Sequence, residues 1–497
     1  MPASTILAVT AAGFEFEQEA EFRPEVAREV VRAIPELPGV VCLYGHGDGD
    51  RPYLTRTANL RRRVARLLDP PEVVGQDGLP AASKRLNLRD RVARVAWSVT
   101  GSEFESLLVL YDSTAAIFGH VEARRRLKLR TPYFVRLTTE HAHPRVYVTN
   151  RLSRRGLGQM YGPFASRMAA ERYVEAVLDL FKLRRCYEDL EVFPEHPGCA
   201  YGEMKKCMAP CNTSCSAEES AAEAQAVRSF FDTHGESLLA EVARERERAS
   251  DEMDFERAAA LHRQWEKVKS AAALADDLVR PVPEVRAVVV QRAALSGGDD
   301  GEQAGVFLLD AGRIVGPARL STLGVRAVRE QTSVGSSLFA QPLMLAAVPL
   351  GGQPGEGLVE AAVSPEARAA GVLADLKLRT EALAEGDLAL VSDHLSLFRR
   401  WYYRPEKQRA GEVFLPNADG SWPLRPILRG AARAVLGDPK AMAETDREAA
   451  RTIRAEARTK VLHEGRPEVE RVVPVIEVPG TFRSRRRKAL AEKRVVP

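Results

Sequence analysis

Cys186-Tyr-Glu-Asp189, Pro197-Gly-Cys199 and Lys206-Cys207-Met-Ala-Pro-Cys211 bring four cysteines into a short span of a chain that has only six. A disulfide framework does not suit them, because a chain of 497 residues with no secretory pattern at its start needs no staples. Four soft thiolates at closed spacing suit a tetrathiolate metal site, and tetrahedral sulfur selects zinc or an iron–sulfur cluster. The plainer alternative is a group of buried, inert cysteines. Either way the rest of the chain is arranged around this segment.

Upstream stand Gln159-Met-Tyr-Gly-Pro-Phe164 and, leading into the first cysteine, Phe181-Lys-Leu-Arg-Arg-Cys186. With these flanks the segment resembles the UvrC family, the incision subunits of bacterial UvrABC nucleotide-excision repair. Members carry a Tyr/Phe-Gly-Pro-Phe motif, an apolar helix and four cysteines at nearly this spacing. The resemblance covers residues 35 to 275. It implies a [4Fe–4S] cluster on Cys186, Cys199, Cys207 and Cys211, with Zn2+ as the alternative.

Composition sets wider bounds. A chain of this length holds two to four domains, and 45% hydrophobic residues suffice for their cores. The net charge of +4 names no partner, but basic residues crowd into 56–66, 84–94, 124–130 and 483–488. No apolar run reaches membrane-spanning length, so a cytoplasmic protein without a membrane partner is expected, in a compartment that keeps thiolates reduced.

Residues 1–34 read as an N-terminal extension, with a short strand at Ile6–Val9 and a helix near Pro24–Ile34. Next, Leu37-Pro-Gly-Val-Val-Cys-Leu-Tyr44 and Pro52-Tyr-Leu-Thr55 form a hairpin that feeds a basic helix, Ala58 to Leu68. Arg56, Arg61 and Arg62, with Lys84 and Arg85 beyond, suit phosphate contact with double-stranded DNA, and the resemblance to UvrC implies that this DNA is damaged. They equally suit a solvated helix face. Here the chain resembles the GIY-YIG nuclease domain that begins UvrC. Gly39-Val-Val41 stands for the first motif, Tyr53-Leu-Thr55 for the second, and Asn59-Leu60 with Arg63 for the following Asn-Leu-x-x-Arg. Val99 to Leu110 matches the Thr-x-Ser-Glu-x-Glu helix.

Phosphodiester hydrolysis needs a divalent metal on a carboxylate, an activated water and a cation for developing charge. The resemblance puts the metal carboxylate at Leu110, which cannot ligate a metal. It puts the first-motif tyrosine at Val41 and the second-motif glycine at Thr55. Tyr53 and Arg63 survive as remnants. Glu105 and Asp112 lie elsewhere around a helix of 3.6-residue period and are not expected to substitute for Leu110. Mg2+ or Mn2+ is expected only if the nuclease is active.

Thr131 to Leu137 and His143 to Thr149 alternate like paired strands. Ser216 to Ala273 reads as nearly unbroken helix, and within it Phe255, Ala258, Ala259, His262, Trp265 and Val268 recur on one face with small residues at its centre. The segment resembles the UVR motif, which implies binding to a UvrB-like helicase subunit; an antiparallel helix pair internal to the protein fits the pattern as well.

Further on, Val285 to Gln291 and Gly305 to Leu320 read as strands, with Asp310-Ala-Gly-Arg313 as a hairpin turn. No counterpart of the second UvrC nuclease is found. In Asp393 to Arg404 the aromatics beside arginines suit either a core helix or base stacking, with core favoured, and Asp393 with His394 does not make a catalytic site. The basic tail, Arg483 to Lys488, suits nucleic-acid contact.

The expected architecture is α+β and multidomain: 1–34 an extension, 35–130 GIY-YIG-like, 131–215 connecting strands and cysteine segment, 216–275 a helical hairpin, and 276–497 a mixed domain. Three functions compete: a repair protein that binds DNA and a partner without cutting, an active divergent endonuclease, and an interaction scaffold. Leu110 and Val41 favour the first over the second. The basic helix and cysteines favour it over the third.

Overall fold

Strand β1 (Gln18–Glu21) and helix α1 (Ala27–Ala33) precede β2 (Gly39–Tyr44), β3 (Tyr53–Thr57), α2 (Leu60–Leu68), β4 (Arg94–Val99), α3 (Glu103–Phe118) and α4 (His120–Arg126). The structure is a computed structural model describing residues 14–47, 49–68, 86–186, 190–294, 303–323, 325, 364–383, 387–405 and 408–436, with the backbone of 460–461 and 471–472. The first sheet has the order β1-β4-β2-β3, all neighbours antiparallel. Val41 and Leu43 pack with Leu60, Val64 and Trp97, and Phe22, Val30 and Ile34 close the same core. Residues 18–34 therefore supply an edge strand and a packed helix to this domain. The expected strand at Ile6–Val9 lies outside the described residues.

Gly39 is fixed by a close approach. A Cβ there would stand 2.2 Å from the Ser98 carbonyl oxygen and 2.7 Å from Leu60 Cδ1, so no larger residue fits without moving β4 or α2.

The middle of the chain forms β5 (Tyr133–Leu137), β6 (Val146–Thr149), β7 (Met160–Phe164), α5 (Arg167–Leu178), the short α6 (Ala200–Glu203), α7 (Ala217–Asp232), α8 (Glu236–Asp251), α9 (Phe255–Ala272) and β8 (Arg280–Pro281). The sheet order is β6-β5-β7-β8, so the chain leaves the sheet for the cysteines and helices and returns to pair beside β7. Val135, Tyr161 and Phe164 share one core with Val174 and Val177 of α5, Phe230 and Phe231 of α7, and Val268 and Ala271 of α9. Much of the segment 216–275 thus belongs to this core.

The expected near-continuous helix is in fact three. His234 and Gly235 take left-handed backbone at φ 50° and 87°, which turns the chain between α7 and α8; Gly235 adopts it without the steric cost a side chain brings. Met253, at φ 58°, makes the next break, and the Asp254 side chain caps α9 by accepting from the Arg257 amide.

Beyond lie β9 (Arg286–Arg292), β10 (Gln303–Asp310), β11 (Arg313–Ser321), α10 (Pro365–Ala382), α11 (Leu388–Tyr402), β12 (Glu412–Phe414) and α12 (Leu424–Leu436). The sheet runs β11-β10-β9-β12 and is antiparallel throughout, with the expected turn at Ala311–Gly312. The run Val288-Val-Val290 is apolar throughout because both faces are covered. Val288 and Val290 face α10 and α12, and Val289 faces a core with Phe104 of α3 and Phe398 and Trp401 of α11.

Helix α11 is consequently core, as the apolar spacing favoured, and its charged edge ties distant segments together. Arg399 donates to the Ala165 carbonyl at 2.6 Å, Arg400 to the carbonyls of Leu127 and Lys128, and the Tyr403 hydroxyl to Asp276 at 2.6 Å. These elements confirm an α+β, multidomain chain. Residues 1–436 form one compact unit; of 437–497, the described part is a two-residue strand pair, β13 (Lys460–Val461) with β14 (Arg471–Val472). No helix among the described residues is long and apolar enough to cross a membrane.

Candidate functional site

The motif Asn59-Leu60-x-x-Arg63 has a direct physical reading. The Asn59 side chain starts α2 by accepting from the Arg62 amide at 2.8 Å, Leu60 is buried, and Arg63 reaches back to donate to the Tyr53 hydroxyl at 2.6 Å. Tyr53 and Arg63 are thus brought together, and Arg63 Nε is buried without a partner among the described residues.

Between β3 and α3 lies a cleft of about 300 Å³. Leu54, Thr55, Leu107, Leu110 and Thr114 line it together with Arg56, Arg126 and Arg400. Among the described residues, no carboxylate lines it. Glu105 turns the other way, buried, accepting from the Gly101 amide at 2.7 Å. Burial, with a smaller contribution from nearby Glu17, pushes its carboxyl up to about 7. Burial likewise pushes Asp112 up to about 7. Val41 is wholly buried in the first core, opposite Thr55.

The basic residues divide. Arg56 lies 2.9 Å from Glu103, which also takes Arg404 at 2.6 Å, and hydrogen bonds from the two arginines hold that carboxyl down at about 2. Arg61 turns inward to the Ile34 carbonyl at 2.8 Å and to Glu36, and so fastens α2 to the end of α1. Arg62 stands exposed beside Arg66 on the outer face of α2, and neither side chain has a partner among the described residues. Lys84 and Arg85 lie outside the described residues.

In the cysteine segment, Cys207 and Cys211 are buried and Cys186 and Cys199 half-buried; all are free thiols. Left-handed backbone at Lys205, Ala209 and Thr213 folds the loops tightly. The Ala209 amide donates to Cys207 Sγ at 3.3 Å, and Arg184 donates to Cys186 Sγ at 3.8 Å. Burial raises the Cys207 thiol above the usual range, and Cys199, Cys186 and Cys211 are all near enough to raise it further. The four thiols therefore share one neighbourhood, although no three His, Cys, Asp or Glu side chains among the described residues stand as a closed metal-binding set. Four soft donors with an amide hydrogen-bonded to one sulfur fit a thiolate-held metal in donor chemistry. Cys215, four residues past Cys211 and half-buried, is a fifth thiol that the spacing argument passed over. Its signal was in plain view as one more cysteine in the same stretch.

The helical face does not stay together. Val268 lies in the middle core, while Ala258 and Trp265 pack with Leu261 against Val242 and Ala249 of α8. Ala259 and His262 are exposed, and at the tip of the hairpin Met253 and Phe255 are 76% and 69% exposed. Asp393 and His394 are structural: Arg124 Nε stands 3.1 Å from the buried Asp393 carboxylate, and His394 Nδ1 accepts from the Ile314 amide at 2.9 Å. Burial holds that histidine neutral, its pKa down at about 4.

A multidomain α+β chain with a basic cleft, a four-thiol segment and a helical hairpin is what these features define. Residues 133–230 match the family model described as UvrC/Cho excinuclease, middle domain. The chain is 30% identical over 240 residues to "UvrABC system protein C" of Carboxydothermus hydrogenoformans, covering 48% of this chain and 37% of that protein. To the protein of that name from Desulforudis audaxviator it is 27% identical over 342 residues, 66% of this chain and 52% of the relative. Over these residues the chain is similar to proteins of the UvrC family. It spans between about a third and about half of the length of these curated relatives. No solved structure matches.

Proposed function

We propose that this chain is a nucleotide-excision-repair protein that binds DNA and a UvrB-like helicase partner without cutting DNA at the β3–α3 cleft. The observation that carries the reading is Leu110, in a cleft that no carboxylate lines among the described residues. Hydrolysis through a bound Mg2+ or Mn2+ requires an anionic oxygen ligand, and leucine offers none. Phosphate contact requires only cations, and the exposed Arg62 and Arg66 supply them on the outer face of α2. Arg63, held by Tyr53, orients a cation beside the same strand.

Cys186, Cys199, Cys207 and Cys211 would hold a [4Fe–4S] cluster, or Zn2+ in its place, and such a group would supply a structural crosslink among loops that have little regular structure. The exposed Met253 and Phe255 at the α8–α9 tip offer an apolar anchor for the partner helicase.

A nicking assay on damaged duplex DNA with Mg2+ or Mn2+, with and without a UvrB protein, tests this reading. Wild type, Arg63→Ala and Leu110→Glu would be run side by side. Wild type is expected to bind and not to nick. Metal-dependent nicking by wild type that Arg63→Ala abolishes would establish an active divergent endonuclease instead.

A further inference from the structure

Charge is unevenly distributed around the β3–α3 cleft. Among the described residues, Glu103 is the one carboxylate for both Arg56 and Arg404, and Glu122 serves both Arg125 and Arg126. Arg400 pairs with no carboxylate among them; its two hydrogen bonds go to the neutral carbonyls of Leu127 and Lys128, and burial lowers its pKa. Three arginines line the cavity; Arg56 and Arg126 each share one carboxylate with a second arginine and Arg400 has none, which leaves its wall with a positive excess. Leu54, Leu107 and Leu110 give the cavity an apolar lining as well. A half-buried guanidinium facing a cavity without a counter-ion is costly unless an anion joins it there.

We propose that this cleft is a metal-free binding site for the phosphomonoester of a nucleotide. The doubly charged phosphate would lie among Arg56, Arg126 and Arg400, with the base or sugar against the leucines. A monoester suits the charge excess better than the singly charged internal diester of a duplex. About 300 Å³ is at the lower end of small-ligand pockets, sized for one nucleotide and not for a continuous duplex. The same chemistry occurs at a phosphorylated DNA end and in a free nucleoside monophosphate. The proposal rests on the non-cutting reading of the cleft, since Leu110 is the apolar wall here.

The full chain would be titrated, with EDTA present, against one short fluorescent single strand bearing either a 5′-phosphate or a 5′-hydroxyl. The phosphorylated strand is expected to bind about 10-fold more tightly, as for a charge-assisted contact. Leu110→Trp, which fills the cavity, and Arg126→Gln should each remove that preference. Competition by deoxyadenosine monophosphate would assign the site to free nucleotides as well as ends, and its failure to compete would assign it to DNA ends. Equal binding of the two strands by wild type would overturn the proposal, as would a preference that both variants retain. If Leu110→Trp fails to fold, Arg126→Gln decides. Binding to closed circular duplex, which has no ends, reads the DNA binding of the proposed function separately, so either can fail without the other.

Discussion

Glu105 stands five residues before Leu110 on α3, buried, with the Gly101 amide as its hydrogen-bond donor. Burial, with the charge of Glu17 behind it, raises the folded carboxyl from 4.5 to about 7. Between those values the folded chain keeps a proton that the unfolded chain has lost. Stability therefore falls as pH rises through that window and is lowest above it. The drop is on the order of 3 kcal/mol for this one group. Asp112, raised to about 7, adds to it in the same sense. Glu105→Gln keeps an acceptor for Gly101 and has no proton to lose, so it should match wild type near pH 4.5 and exceed it in stability at pH 8. Urea denaturation at the two values measures this. An identical loss of stability in wild type and variant would mean that Glu105 ionises freely in the folded chain.

The α8–α9 hairpin shows how periodicity overreaches at the level of an element. Phe255, Ala258, Ala259, His262, Trp265 and Val268 share a spacing, yet the two ends of α9 face different surroundings. Val268 is fully buried beneath the middle sheet, and Phe255 projects from the tip. Single-helix spacing reports an apolar stripe; which part is covered depends on α5 and α7, which the stripe does not encode. Val268→Ala should thus cost about 2 kcal/mol of stability through a cavity. Phe255→Ala, removing only exposed surface, should leave the melting temperature within a degree or two and weaken binding to a UvrB partner about 10-fold. Calorimetry beside a pull-down titration separates the two, and a destabilised Phe255→Ala with unchanged partner affinity would identify the tip as internal packing. The cysteine loops carry a parallel test. Anaerobic purification should give a brown protein with iron and sulfide, lost in a Cys199→Ala, Cys207→Ala double variant. A colourless protein with stoichiometric zinc would reassign the site as a zinc centre.

Across the whole molecule, legibility falls with sequence separation. The β2–β3 hairpin, the Asn59 cap and the absent carboxylate at Leu110 can be read locally, because neighbouring residues decide them. Arg126 and Arg400 beside Leu110 could not be, since they reach the cleft only after α4 and α11 have packed. The same long-range packing makes the family-like first part depend on β9, β10 and α11. Phe104, Leu108 and Phe134 are buried in one core with Val289, Phe307, Phe398 and Trp401. The Phe104 ring lies 5.3 Å from that of Phe307 and 5.0 Å from that of Trp401. Arg404 closes the join through Glu103, and Tyr403 through Asp276. Removing residues 283–497 would uncover three large side chains on α3 and β5 and break both joins, at roughly 1.5–3 kcal/mol for each side chain exposed. A chain ending at residue 282 should therefore bind a hydrophobic dye, lose the sharp melting of the full chain and be cut rapidly by protease within α3. Equal melting temperature and protease resistance in the shortened and full chains would show that the first 282 residues stand alone and that α11 merely rests on them.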